Sequence, residues 1–220
     1  MSKPASLTDA DYIRTASEMR FEVAVVKAIT KKEAPEGGFL PDGQLVILFE
    51  RHIFSRLTRG RFDASHPHLS NAKPGGYGAK GQHQHDRLAE AVALDRNAAL
   101  QSASWGMFQL MGFNWKQCGF KSLQAFINAM HEGEAAHLKA FASFVANDTA
   151  GYPVKGPHFG MRMVEALRKK LWAVFARLYN GPKYRINKYD TSLQDFYDKA
   201  PAGEKHVPDV RTNDPMGGAK

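Results

Sequence analysis

The sequence predicts a mainly helical α+β fold: a bundle of helices around one central apolar helix, with one small β-hairpin inserted. Three observations carry this. Apolar residues recur at helical spacing over most of the chain. Only one short run, "LVILF" at Leu45 to Phe49, is rich in strand formers, and it directly follows a turn signal. "SWGMFQLM" is apolar nearly all round, as a buried helix around Met107 to Met111 would be. The 220 residues are 43% hydrophobic and 24% charged, enough for one domain with its own core. That domain is expected over residues 1–200, and 201–220 read as a loosely held tail without apolar periodicity.

Taken in order, Thr8 is the natural N-cap of a first helix, with Asp9 and Asp11 in its first turn. "FEVAVVKAITKKEA" carries a second helix, which Pro35, Gly37 and Gly38 end. Pro41, Asp42 and Gly43 form a turn: proline presets φ, aspartate bonds its own backbone, and glycine permits positive φ. A strand over Leu45 to Phe49 completes the hairpin and puts Glu50 at its end. Nothing later offers a second set of strands, so no large sheet is expected. Residues 61–84, rich in Gly, Pro, His and Asn, read as a long irregular loop. Beyond it the pattern is helical: "HDRLAEAVALDRNAALQS", then two helices split near Gly133, one long helix through "GMRMVEALRKKLWAVFARLYNG", and a last one over "DTSLQDFYDKA".

Composition narrows the possible functions. The net charge is +8 with a single cysteine, Cys118. Intrachain disulfides and a four-cysteine zinc site are therefore excluded. Basic residues attract polyanions such as nucleic acid, anionic membrane or cell wall, but they are spread along the chain and form no basic arm. No run approaches the ~18 apolar residues of a membrane-spanning helix. The first residues lack the apolar core of a signal peptide, so synthesis in the cytoplasm and release by another route are expected.

Glu33 is the leading chemical candidate. It falls at a helix C-terminus, at the negative end of the helix dipole and at the edge of an apolar arc. Both settings raise a carboxyl's pKa, burial more strongly. A glutamate protonated near neutral pH can serve as a general acid, with the hairpin as one wall of a groove. The plainer alternative is a surface glutamate beside Lys31 and Lys32. His66, His68, His83 and His85 crowd the irregular loop, but neither H-E-x-x-H nor an i, i+4 histidine pair is present, so no metal is expected. Cys118, beside Phe120, reads as an apolar filler.

These segments resemble a known family. "AITKKEAPEGGFLPDGQLVILFERHIF", "SASWGMFQLMGFNW" and "WAVFARLYNGPKYRINKY" occur in the order found in the N-acetylmuramidase domain of phage and prophage endolysins, over about residues 18–200. The resemblance implies a lysozyme-like fold and hydrolysis of the β-1,4 bond between N-acetylmuramic acid and N-acetylglucosamine in peptidoglycan, at the wall and without a cofactor. It matches Glu33 to the catalytic glutamate. "SWGMFQ" is similar to the cleft segment of goose-type lysozymes and lytic transglycosylases, which makes Ser104, Trp105, Gly106 and Gln109 candidate wall residues. "YNGP" adds Tyr179 and Asn180. Ala34, Pro35 and Glu36 depart from the family's small, glycine-rich stretch, and Glu36 competes for the acid's role.

A second carboxylate could stabilise the sugar cation or deliver water. Glu50 leads by position and Asp42 follows, although Glu50 could equally be a structural ion-pairing group. Tyr77, in the glycine-rich loop, is a candidate for sugar stacking. A monomer acting on glycan strands, without nucleic acid, is expected. The rivals are a lytic transglycosylase using the same glutamate, a non-catalytic basic binding module, and a zinc peptidase built on the histidine loop.

Overall fold

The computed structural model describes residues 4–209. In chain order the elements are α1 (Asp9–Met19), α2 (Val23–Glu33), β1 (Ile47–Phe49), α3 (Arg51–Leu57), α4 (Gln82–Gln101), β2 (Ala103–Trp105), β3 (Leu110–Met111), α5 (Leu123–Glu132), α6 (Glu134–Ala146), α7 (Met163–Arg168), α8 (Trp172–Asn180) and α9 (Tyr189–Asp198). The fold is mainly helical with one small antiparallel sheet, as predicted. Among the described residues no helix is long and apolar enough to cross a membrane. The described residues divide into two compact units, 4–6 with 36–144, and 7–35 with 145–209.

The unit containing residues 7–35 and 145–209 is built on α2. Val23 to Val26, Ala28, Ile29 and Thr30 are all buried, against α1 on one side and α9 on the other. Truncating Ile29, 1% exposed, to Ala would cost about 2–5 kcal/mol. α1 starts in a capping box: Asp11 N–H donates to Thr8 Oγ1 at 3.3 Å, and Thr8 N–H donates to the Asp11 carboxylate at 2.9 Å. This follows from the Thr–Asp spacing in the sequence.

The single long helix expected between Gly160 and Gly181 is two helices, α7 and α8. Lys170 takes a left-handed φ of +54° between them, a conformation that costs a non-glycine residue about 1–2 kcal/mol. Tertiary contacts hold it there. Lys170 Nζ meets Glu22 at 2.5 Å, Tyr197 Oη donates to the same carboxylate at 2.6 Å, and the Arg168 guanidinium donates to the Met19 carbonyl at 2.9 and 3.1 Å. Residues 210–220, most of the expected tail, lie outside the described residues. Before them, Ala202–Glu204 form a 3-10 turn, and Glu204 pairs with Lys27 at 2.8 Å.

The other unit holds the sheet, in the order β1-β2-β3. Ile47, Leu48 and Phe49 face Trp105, Ser104 and Ala103, and Ser104 faces Met111. Two expectations are corrected here. β1 finds its partner in a later strand, not in the segment before the turn, which contributes only a Phe39–Leu45 bridge. The apolar run around Met107 to Met111 is a tight turn followed by β3, not a helix. Gly106 (φ +66°) and Gln109 (φ +47°) reverse the chain there, and the run is apolar all round because neighbouring elements bury it. The helix buried on nearly all sides is α2.

The Gly106 turn is held by His137 on α6, which is 1% exposed. Its Nδ1 accepts from Met107 N–H at 3.3 Å, Nε2 lies 2.7 Å from the Met130 carbonyl, and the ring stacks on Phe39 at 5.2 Å. A Cβ on Gly106 would stand 2.8 Å from the ring, and one on Gly38 would stand 2.5 Å from it. Two glycines from the two motif segments thus admit one imidazole between them.

α4 breaks at Asp95, whose carboxylate accepts from Ala98 N–H at 3.0 Å and so caps the second half. The irregular segment before α4 is fixed by two buried side chains. Gln84 donates to the Tyr77 and Ala79 carbonyls at 2.6 Å. Arg87 donates to the carbonyls of Phe49, Tyr77 and His68 at 3.0–3.2 Å.

Candidate active site

Glu33 is the last residue of α2, which the following Pro35 and the Gly37–Gly38 pair stop. It is half-buried. The carboxyl is held above its usual range: burial is the main cause, while the Tyr189 hydroxyl and the Lys32 ammonium pull it back down. This is the direction expected for an acid poised at the negative end of a helix. Lys32 is kept nearby by the Asn187 carbonyl at 3.2 Å and Ser192 Oγ at 3.3 Å, with its ammonium 5.6 Å from the Tyr189 ring centroid.

Tyr189, the first residue of α9, is the partner that sequence reasoning missed as a site residue. Its hydroxyl is buried beside the Glu33 carboxyl and the Asn180 side chain, and burial and the neighbouring Glu33 both raise its pKa. No neighbour meets that hydroxyl at good hydrogen-bond geometry. Its ring lies 6.4 Å from Tyr179, and both belong to a cluster with Phe175, which stacks on Tyr179 at 5.5 Å. The sequence signal was the final tyrosine of "YNGPKYRINKY". Of the candidates, Tyr179 is half-buried in this cluster, and Asn180 is exposed at the end of α8.

The remaining candidates lie in the other unit. Glu50 is not on the strand. It is the N-terminal flank of α3, directly after β1, with 16% of its side chain exposed. One carboxylate oxygen lies 3.2 Å from His52 Nδ1 without hydrogen-bond geometry. The Tyr77 hydroxyl lies close enough to the carboxylate that, after burial, the negative charge of Glu50 raises the tyrosine's pKa. The Tyr77 ring stays at the surface, 36% exposed. Beneath it Arg51 packs against Gly76, where a Cβ would meet the guanidinium carbon at 2.6 Å.

Ser104 Oγ donates to Gln109 Oε1 at 2.8 Å, and Gln109 Nε2 donates to the Gly106 carbonyl at 2.8 Å. Trp105 is turned inward, 3% exposed, with its indole N–H on the Leu100 carbonyl at 3.1 Å. It can hold the strand in place but presents no face to a ligand. Asp42 caps its own turn through Gln44 N–H at 3.0 Å, and Glu36 is exposed without a comparable apolar setting.

Of the four histidines expected in the loop, His83 and His85 lie instead in the first turn of α4. His68 pairs with Glu90 at 2.9 Å, His85 contacts the Leu45 carbonyl at 2.9 Å, and His66 contacts Ser65. Among the described residues no group of three or more His, Cys, Asp or Glu side chains is arranged to hold a metal. Burial pushes the Cys118 thiol up to about 12, so it carries little thiolate and suits a filler role.

The family model for N-acetylmuramidase matches residues 22–201. Among solved structures, the crystal structure of the Burkholderia AP3 phage endolysin is similar, with a TM-score of 0.79 and 41% sequence identity over 90% of this chain and 73% of that one. A comparison with curated proteins found no match. Residues 22–201 take in Glu33, Glu50, the Gly106 turn and the Tyr179–Tyr189 cluster, and the chain belongs to the N-acetylmuramidase family of peptidoglycan hydrolases.

Proposed function

We propose that this protein is an endolysin that cuts the β-1,4 bond between N-acetylmuramic acid and N-acetylglucosamine, with Glu33 as general acid. The observation that carries the proposal is the half-buried Glu33 carboxyl, held above its usual range at the end of α2 beside an under-partnered tyrosine hydroxyl. Glycosidic cleavage needs a proton delivered to the leaving oxygen as an oxocarbenium-like sugar forms. A carboxyl whose pKa is raised keeps its proton to higher pH and so meets that need,. The Tyr189 hydroxyl has hydrogen-bonding capacity to spare for a sugar oxygen or a water.

Glu50 is the proposed second carboxylate. One of its oxygens keeps lone pairs not spent on a hydrogen bond, as a group that activates water requires. Ser104, Gln109, Tyr77, Tyr179 and Asn180 are the proposed glycan contacts. Trp105 and Gly106 act indirectly, by shaping the turn that carries Gln109.

The test is digestion of purified wall by wild type and Glu33→Gln, with the released sugar ends identified by mass spectrometry. Reducing N-acetylmuramic acid ends from the wild type alone are expected. Anhydro ends, one water lighter, would instead assign a lytic transglycosylase, and unchanged cleavage by Glu33→Gln would remove Glu33 from the reaction. A Glu50→Gln variant that cleaves at the wild-type rate would reduce Glu50 to a clamp on the Tyr77 loop.

A further inference from the structure

A second recessed surface lies in the unit that carries Glu33, formed by the N-terminal part of α8, the start of α9 and the loop before α7. It is a groove of about 450 Å³, and its lining includes Tyr152, His158, Trp172, Arg185, Asp190 and Gln194. The loop wall is fixed by backbone bonds: Tyr152 N–H donates to the Met161 carbonyl at 2.8 Å, and Gly160 N–H donates to the Tyr152 carbonyl at 3.0 Å. The Tyr152 and His158 rings meet edge to face at 6.5 Å.

Two polar atoms of this lining are buried without partners. Trp172 is 5% exposed, and its indole N–H has no acceptor; His158 Nδ1 likewise has no partner. A buried polar atom left without a partner is destabilising, so this wall is not optimised for packing alone. Two charges are also uncommitted. Arg185 uses Nε on the Tyr184 hydroxyl at 3.1 Å and lies 5.6 Å over that ring. Among the described residues neither Arg185 nor Asp190 forms an ion pair.

Uncommitted charge of both signs beside shallow apolar walls fits a peptide better than a sugar. Trp172 and Tyr184, at 5% and 7% exposure, offer a sugar ring no open face, and Tyr152 is already met edge to face by His158. We propose that this groove takes the peptide stem of peptidoglycan. Arg185 receives a stem carboxylate and Asp190 receives the free amine of a diamino acid, beside the Trp172 indole in the groove wall. The proposal rests on the wall-hydrolase assignment for its ligand class but not on Glu33.

The test is an NMR titration of full-length, 15N-labelled Glu33→Gln protein with synthetic L-alanyl-γ-D-glutamyl-meso-diaminopimelate. The Trp172 indole N–H resonance is the readout. A saturable shift is expected, with about tenfold weaker binding in Arg185→Ala and in Asp190→Asn, and a smaller loss in Arg185→Lys, which keeps charge but not the planar fork. No shift, equal binding by both charge-removing variants, or the same shift on adding chitotetraose would overturn the proposal. Hydrolysis plays no part in this measurement. A stem that fails to bind overturns the groove alone, and a wild type that leaves the sugar bond intact overturns the Glu33 assignment alone.

Discussion

Replacing Tyr189 with Phe is the most discriminating single change, because two independent effects are expected and both have a defined sign. The first is stability. The hydroxyl is buried and has no partner at good geometry, and leaving such a group unsatisfied costs about 1–3 kcal/mol. Its off-geometry approach to Glu33 returns part of that, so Tyr189→Phe is expected to gain about 1 kcal/mol. For a chain of this size that is a rise of roughly 2–4 °C in the midpoint of thermal unfolding. The second effect is on the acid. The hydroxyl lowers the Glu33 pKa against the larger effect of burial, so its loss pushes that pKa further up. Glu33 acts only while protonated, and the alkaline limb of kcat/KM against pH is therefore expected to move to higher pH. Differential scanning calorimetry and a turbidity assay on purified wall over a pH series measure the two. A variant that melts more than a few degrees below wild type, or whose alkaline limb moves to lower pH, would refute the account of Tyr189.

Glu33→Gln is expected to lower hydrolysis by about 10²–10⁴, the usual worth of a general acid. The same variant should melt above wild type at pH 7. The folded chain holds the Glu33 proton more tightly than the unfolded chain, so stability is lost as pH rises from the ordinary value of 4.5 through the raised one,. Well below pH 4.5 the two should melt alike. Gly106→Ala is expected to cost about 2–5 kcal/mol in urea unfolding, from left-handed strain plus a Cβ 2.8 Å from the His137 ring,; a loss under 1 kcal/mol would show that the turn can yield. With a net charge of +8, lysis of anionic wall should slow as ionic strength rises from about 0.01 to 0.15 M, where the Debye length falls from ~30 to ~8 Å. An unchanged initial rate would exclude electrostatic steering.

What the sequence made legible was local. Thr8 with Asp11, Pro35 with Gly37, Pro41 to Gly43, and Gly133 each signal their own cap, stop or turn, and the structure places caps, stops and turns there. Glu33 at a helix end followed from the same punctuation. What stayed hidden depends on tertiary context. A short apolar run has no period, so "SWGMFQLM" did not distinguish a helix from a turn and a strand buried on both faces. The break at Lys170 contains neither Gly nor Pro and is set by Glu22, far away in the chain. The break at Asp95 is a helix cap in mid-pattern, visible only once the backbone departs from helical angles. Tyr189 carries no local mark of its contact with Glu33, because that contact arises from the packing of α9 on α2.

The His137 ring, seated between Gly38 and Gly106, bears on the engineering of this protein. Segments 36–45 and 103–111 cannot be treated as independent cassettes, since each leaves room for the same imidazole. A chimaera that imports one segment from a relative with a bulkier residue at either glycine, without the matching residue on α6, would inherit a steric conflict at the turn between β2 and β3. Recombination libraries built on this scaffold should therefore move the three positions as one block.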